Sequence, residues 1–107
     1  MTESKMLELA EEVLAQSKAG KVKWEEITNT DAYGVKFPDI GLGIVRISGA
    51  EYLLQLRDIG GKLLDSLSGR RGSEEYNMLQ EIYNLARGEA LSVEENIDKA
   101  LNYLKGQ

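Results

Sequence analysis

The hydrophobic period of the chain changes twice, from about 3.6 to 2 near Lys21 and back near Ser73, and this limits it to a helix, a block of strands and more helix. Before Lys21, Met6, Leu9, Ala10, Val13, Leu14 and Ser17 fall on one helical stripe. Glu8, Glu11, Glu12 and Lys18 lie largely off it. Gly20 is a natural stop just past the last turn, and Thr2 or Ser4 is placed to cap the start.

From Lys21 to Glu25 polar and apolar residues alternate, the pattern of a strand with one buried face. Asn29-Thr30-Asp31 reads as a turn, Tyr33 to Phe37 as a second strand, and Pro38 to Gly41 as another turn. Gly43 to Ser48 is rich in β-formers, Gly49-Ala50-Glu51 breaks it, and Tyr52 to Asp58 follows as a fourth strand. Gly60-Gly61 supplies tight-turn residues, so Lys62 to Leu67 is expected to return as a fifth. Short connections favour an antiparallel meander. The alternation slips at Glu26-Ile27 and around Leu42 to Ile47, where a bulge or a shifted boundary is expected.

Ser68 to Gly72 reads as a loop. Ser73 is a cap with Glu74 and Glu75 behind it, and Tyr76, Leu79, Ile82, Tyr83 and Ala86 form a helical stripe that Gly88 should end. Ser92-Val93-Glu94-Glu95 has the form of a capping box. Val93, Ile97, Ala100, Leu101 and Leu104 make the last stripe, closed by Gly106. The expected fold class is α+β: an N-terminal helix, a five-stranded antiparallel β-meander, and two C-terminal helices packed on one face of the sheet. With 107 residues the chain, 1–107, fits one domain with a sizeable core.

Alternation assigns Val22, Trp24, Tyr33, Val35, Phe37, Tyr52, Leu54 and Leu56 to the covered face of the sheet. Lys21, Lys23, Glu25, Gly34, Lys36, Leu53, Gln55 and Arg57 fall to the other. That outer set holds four cations and one anion in a chain of net charge −5, with acidic helices behind it. Cations mixed with the apolar Leu53, and with one of the pairs Val45/Ile47 or Leu42/Ile44, make this face a candidate interaction surface.

Two absences shape the chemistry. The chain has no cysteine, so disulfides, thiolate metal sites and thiol nucleophiles are excluded. It has no histidine, which excludes a Ser-His-Asp triad and an imidazole switch. Carboxylates are left as the main acid–base groups. Their clusters, Glu8/Glu11/Glu12 and Glu94/Glu95/Asp98, lie on helices, where the helix dipole is the first explanation for acids near an N-terminus. No catalytic residue, metal ligand or cofactor is assigned. The excess of eighteen acidic over thirteen basic groups argues against nucleic acid as a partner. No apolar run approaches the roughly 18 residues of a membrane span. The opening Met1-Thr2-Glu3-Ser4-Lys5 lacks a signal-peptide layout, so the cytoplasm is the expected compartment.

The sharpest local feature is Ser68 to Ser73. Arg70 and Arg71, with Ser73 at the following helix start, would hold an anionic, nucleotide-like ligand if they converge. Trp24, Tyr33, Phe37 and Tyr52 are weighed as a stacking platform and fit core packing better.

The strand Lys21-Val22-Lys23-Trp24-Glu25, the hairpin Tyr52 to Leu67 around Asp58-Ile59-Gly60-Gly61, and the helix Leu79 to Arg87 together resemble a group of small, uncharacterised bacterial and phage-borne proteins. The resemblance implies a stand-alone accessory protein and carries no catalytic residues. Two functional expectations follow. The first is a non-enzymatic protein-interaction module, a homodimer, that uses the outer face Lys21, Lys23, Lys36, Leu53, Gln55 and Arg57 or a sheet edge. The alternative is a binder of a small anionic ligand at Arg70, Arg71 and Ser73.

Overall fold

The computed structural model describes residues 4–27 and 31–106. The elements are α1 (Lys5–Lys18), β1 (Glu25–Glu26), β2 (Ala32–Lys36), β3 (Ile40–Ser48), β4 (Glu51–Asp58), β5 (Leu63–Arg70), α2 (Glu74–Ala90) and α3 (Val93–Lys105). The five strands form one antiparallel sheet in the order β1-β2-β3-β4-β5, the expected α+β meander. Thr2, weighed as a cap, and Asn29-Thr30, read as a turn, lie outside the described residues.

Each local signal has a visible cause. Ser4 caps α1, its Oγ accepting from Met6 N–H at 3.2 Å and Leu7 N–H at 3.4 Å. Gly20 follows the helix at φ +72°, where a side chain would be strained. In the β4–β5 hairpin, Asp58 Oδ1 accepts from Gly60 and Lys62 N–H at 2.9 Å each, and Gly61 takes φ +89°. The irregularity in β3 is a bulge. Arg46 pairs with Tyr52 and Ser48 with Glu51, leaving Ile47 as the extra residue.

One face of the sheet is covered. The α2 stripe Tyr76, Leu79, Ile82, Tyr83 and Ala86 is buried in full, as its spacing requires. This helix touches all five strands, and α1 lies beside it with Met6, Ala10 and Val13 turned inward. Opposite them sit Trp24, Tyr33, Val35, Leu42, Ile44, Tyr52 and Leu54. Ile44, Leu54, Leu79 and Ile82 are wholly enclosed. Thus Leu42/Ile44 is the inward pair of β3, and Val45 and Ile47 are left outside.

Several boundaries differ from expectation. Pairing of the first strand is confined to Glu25 and Glu26; Lys21 to Trp24 runs up to it without a ladder. Trp24 is nevertheless buried, because its indole N–H donates to Ser17 Oγ of α1 at 3.0 Å. Phe37, expected inside, lies beyond β2 in the turn to Ile40 and is 44% exposed. The fifth strand continues past Leu67 through Ser68, Gly69 and Arg70, which had been assigned to a loop. Helix α2 does not stop at Gly88 but runs to Ala90, Gly88 having no left-handed conformation to break it. The capping box at Ser92 does not form. Ser92 takes φ 50°, ψ 49°, whereas Ser4 and Ser73 cap from the extended backbone that aims Oγ at the first free N–H groups.

The last stripe also meets a different fate. α3 buries none of its residues and contacts α2, because α2 already spans the strands and α1 occupies the remaining width. The molecule measures 60 Å in its longest dimension against 34 and 26 Å in the others.

The closest backbone approach is between β5 and α2. A Cβ on Gly69 would stand 2.5 Å from Tyr76 N and 2.6 Å from Glu75 C, both main-chain atoms of the helix. Gly69→Ala therefore forces α2 off the sheet, and we expect a loss of about 1–3 kcal/mol, read from urea unfolding. A second prediction comes from the tyrosines between α2 and the sheet. Tyr52 lies 5.4 Å from Tyr76 and 5.2 Å from Tyr83 between ring centroids, and Tyr33 lies 5.5 Å from Tyr83. The Tyr83 hydroxyl donates to Asp31 Oδ1, while Arg46 pairs with Asp31 Oδ2 at 3.4 Å. Burial first, then the bond to Asp31, push the Tyr83 phenol well above its ordinary value near 10. A raised folded-state value stabilises fully below the unfolded phenol pKa and loses that stability as pH rises beyond it. Stability should thus fall above pH ~10 in the wild type, and Tyr83→Phe should remove that part of the alkaline slope in urea titrations at pH 8 and 11.

Candidate functional site

The sheet face opposite α1 and α2 carries no helix, and its side chains can be read directly from the strand registers. One row crosses all five strands as Glu25, Gly34, Gly43, Gln55 and Ser66. Beside it run Lys36, Gly41, Arg57 and Leu63. On its other side run Ala32, Val45, Leu53 and Ser68. Three glycines thus meet at the centre of β2 and β3, where neighbouring strands would ordinarily present side chains.

Their absence opens a trough of about 610 Å³ with bare peptide groups as its floor. Ile27, Phe37, Ile40 and Ile59 stand around it as apolar walls. They are 42%, 44%, 37% and 81% exposed, an unusual concentration of large aliphatic and aromatic groups facing water. The charged rim is mixed, with Lys36 and Arg57 against Glu25, Glu26 and Asp58. Arg57 is already committed: it donates to Gly61 O at 2.9 Å and to Gln55 Oε1 at 3.2 Å, bracing the β4–β5 hairpin.

The fold does not require Gly41 and Gly43. None of Gly34, Gly41 and Gly43 takes a positive φ. A Cβ on Gly43 would find nothing nearer than Tyr33 O at 3.9 Å, and one on Gly41 nothing nearer than Val35 O at 3.6 Å. Gly34 is tighter, with Leu42 O at 3.3 Å and the Ile27 side chain at 3.4 Å. Glycine in a strand interior weakens it, and often marks a bulge, a bend or a site where a ligand or another backbone approaches closely.

Of the outer-face residues expected from alternation, Lys36, Leu53, Gln55 and Arg57 share this face. Lys21 and Lys23 do not join them, since they precede β1 in the unpaired stretch. Sequence reasoning placed Gly34 on the outer face without seeing its partner. Gly41 and Gly43 were read as turn and strand start, and only the register Gly34↔Gly43 brings them together. The signal was present as three glycines at the even spacing of a strand pair, but the register was needed to read it.

Arg70, Arg71 and Ser73 are not brought together around a common point. Arg70, the last residue of β5, turns to Glu51 at 3.9 Å, while Arg71 in the following turn donates to Gly49 O at 3.0 Å. Gly49 O also accepts from the Tyr76 hydroxyl at 2.7 Å. The Ser73 hydroxyl accepts from Tyr76 N–H at 3.0 Å and donates to Arg70 O at 2.8 Å, so it is occupied in capping α2. The three residues tie β5 to α2 and to the β3–β4 turn. Of the four aromatics weighed as a stacking platform, Trp24, Tyr33 and Tyr52 are buried in the core.

Among the described residues no cluster of three or more acidic groups has metal-binding geometry, and no helix is long and apolar enough to cross a membrane. Comparison with known proteins gave no match of any kind: no family model, no curated protein and no solved structure matches the chain.

Proposed function

We propose that the chain is a non-enzymatic protein-interaction module that receives a partner on its outer sheet face, in the trough floored by Gly34, Gly41 and Gly43. The carrying observation is that two of these glycines, Gly41 and Gly43, stand where a side chain fits without strain. Their cost to strand stability needs another reason, and a partner's close approach supplies one. A flat apolar group, above all an aromatic side chain, lies against bare peptide planes where a Cβ would hold it off. Ile27, Phe37, Ile40 and Ile59 would enclose it from the sides. Lys36 and Arg57 against Glu25, Glu26 and Asp58 would fix orientation more than strength.

The accessory role implied by the resemblance to small bacterial and phage-borne proteins fits such a module, acting in the cytoplasm as a homodimer. The anionic-ligand reading gains no support from Arg71 and Ser73, whose polar groups bond Gly49 and α2, while the exposed Arg70 side chain meets Glu51 only at 3.9 Å.

Gly43→Leu fills the trough from its floor without touching the core. Its stability in urea should be unchanged or higher by up to about 1 kcal/mol, because glycine is replaced inside a strand. Wild-type and Gly43→Leu baits are then compared by quantitative mass spectrometry after capture from host lysate. The expected result is a protein retained by the first and lost by the second, whose purified form binds the variant at least about tenfold more weakly. Identical capture by two equally folded baits would refute the trough as the binding surface.

A further inference from the structure

We propose that α3 is the self-association element, pairing antiparallel with α3 of a second copy. The proposal rests on the homodimer reading above and names the surface and geometry that reading leaves open. α3 has an apolar stripe of Val93, Ile97, Ala100, Leu101 and Leu104, of which Val93 is half-buried and none is fully buried within its own chain. Ile97, Leu101 and Leu104 are 53%, 43% and 71% exposed. A helix of 13 residues is marginal in water unless its apolar face is covered. The inner side of the sheet is filled by α1 and α2, and within the chain α3 packs chiefly beside α2.

Charge identifies the occupant. The first half of α3 carries Glu94, Glu95 and Asp98, and the second carries Lys99 and Lys105. Glu94 and Lys105 are eleven positions apart, about three full turns, so both stand on one flank of the stripe. In an antiparallel two-fold pair the same flank of each helix meets its equivalent, and the N-terminal end of one lies level with the C-terminal end of the other. Glu94 of each copy then faces Lys105 of its partner, twice over. A parallel pair would set like ends together, acids against acids. Ala100 falls near the middle of the stripe, and its small side chain lets the two helices approach at the axis.

The absence of cysteine makes the geometry directly readable. Sedimentation of the untagged full chain gives the dimer dissociation constant for the wild type and for Leu101→Asp. Single cysteines at Val93, Ala100 and Leu104 report which positions face each other under mild oxidation. The expected result is a wild-type dimer weakened at least about tenfold in Leu101→Asp. Ala100→Cys should cross-link with itself, and Val93→Cys and Leu104→Cys should do so only when mixed. A dimer that persists in Leu101→Asp, or that cross-links Leu104→Cys to itself, overturns the antiparallel α3 interface while leaving self-association standing. A wild-type chain that stays monomeric at every concentration overturns both.

Discussion

The contact between α2 and β5 holds the rest of the structure in place. Helix and strand backbones meet at Gly69, where even a methyl group would intrude to 2.5 Å of a main-chain nitrogen. That approach lowers α2 far enough for Tyr76, Leu79, Ile82, Tyr83 and Ala86 to interlock with inward residues of the sheet. Ser73 fixes the helix start at the same point through bonds in both directions, to Tyr76 N–H and Arg70 O. The sheet is long and its first strand short, so a helix reaching all five strands ties together what the ladders join only pairwise. Neighbouring bonds extend this anchor. Tyr76 reaches Gly49 in the β3–β4 turn, and Tyr83 reaches Asp31 at the start of β2.

Glycine serves two opposite ends in this chain. At Gly69 it is demanded by the fold, and any side chain would be met by backbone. At Gly41 and Gly43 a side chain would find room, and the conformation is one that ordinary residues adopt. The first kind belongs to packing. The second kind weakens the centre of a sheet with no return inside the molecule, and a departure from local stability rules without compensation points to function. Exposed Phe37, Ile40 and Ile59 around the same spot violate the usual burial of large apolar groups in the same direction.

Periodicity carried most of the architecture. The stripes of α1 and α2, the inward Tyr33 and Val35 of β2 and Tyr52 and Leu54 of β4, the Ser73 cap and the Gly60-Gly61 hairpin are all local patterns, and each appears in the structure. What local pattern missed depends on distant partners. The end of β1 is set by how far β2 can pair with it, and β5 runs on to Arg70 because Glu51 and Tyr52 are there to receive it. Ser92-Val93-Glu94-Glu95 has the letters of a capping box, but the turn out of α2 puts Ser92 in a left-handed conformation from which its hydroxyl cannot reach. The candidate site was the least legible part. Lys36, Leu53, Gln55 and Arg57 were placed by alternation, whereas the trough is made by residues with no side chain and by a register that joins Gly34 to Gly43.

Both proposed surfaces are places where a rule of completion fails. On the inner side every element finds its complement: the core residues are enclosed, and no buried side-chain nitrogen or oxygen among the described residues lacks a partner. On the outer side, peptide floor and apolar walls face water, and the strongly amphipathic α3, packed beside α2, buries none of its residues. The two surfaces differ in what they ask of a partner. The trough is walled by apolar groups and mixed in charge, so shape would decide what enters it. The charges of the α3 stripe are polarised along the helix, so direction would decide what pairs with it. A second copy offers the matching polarity automatically, because reversing one helix against the other converts its own charge gradient into complementarity. Self-association through α3 would leave the glycine trough open, giving the assembly two equivalent binding faces joined through their least structured-in element.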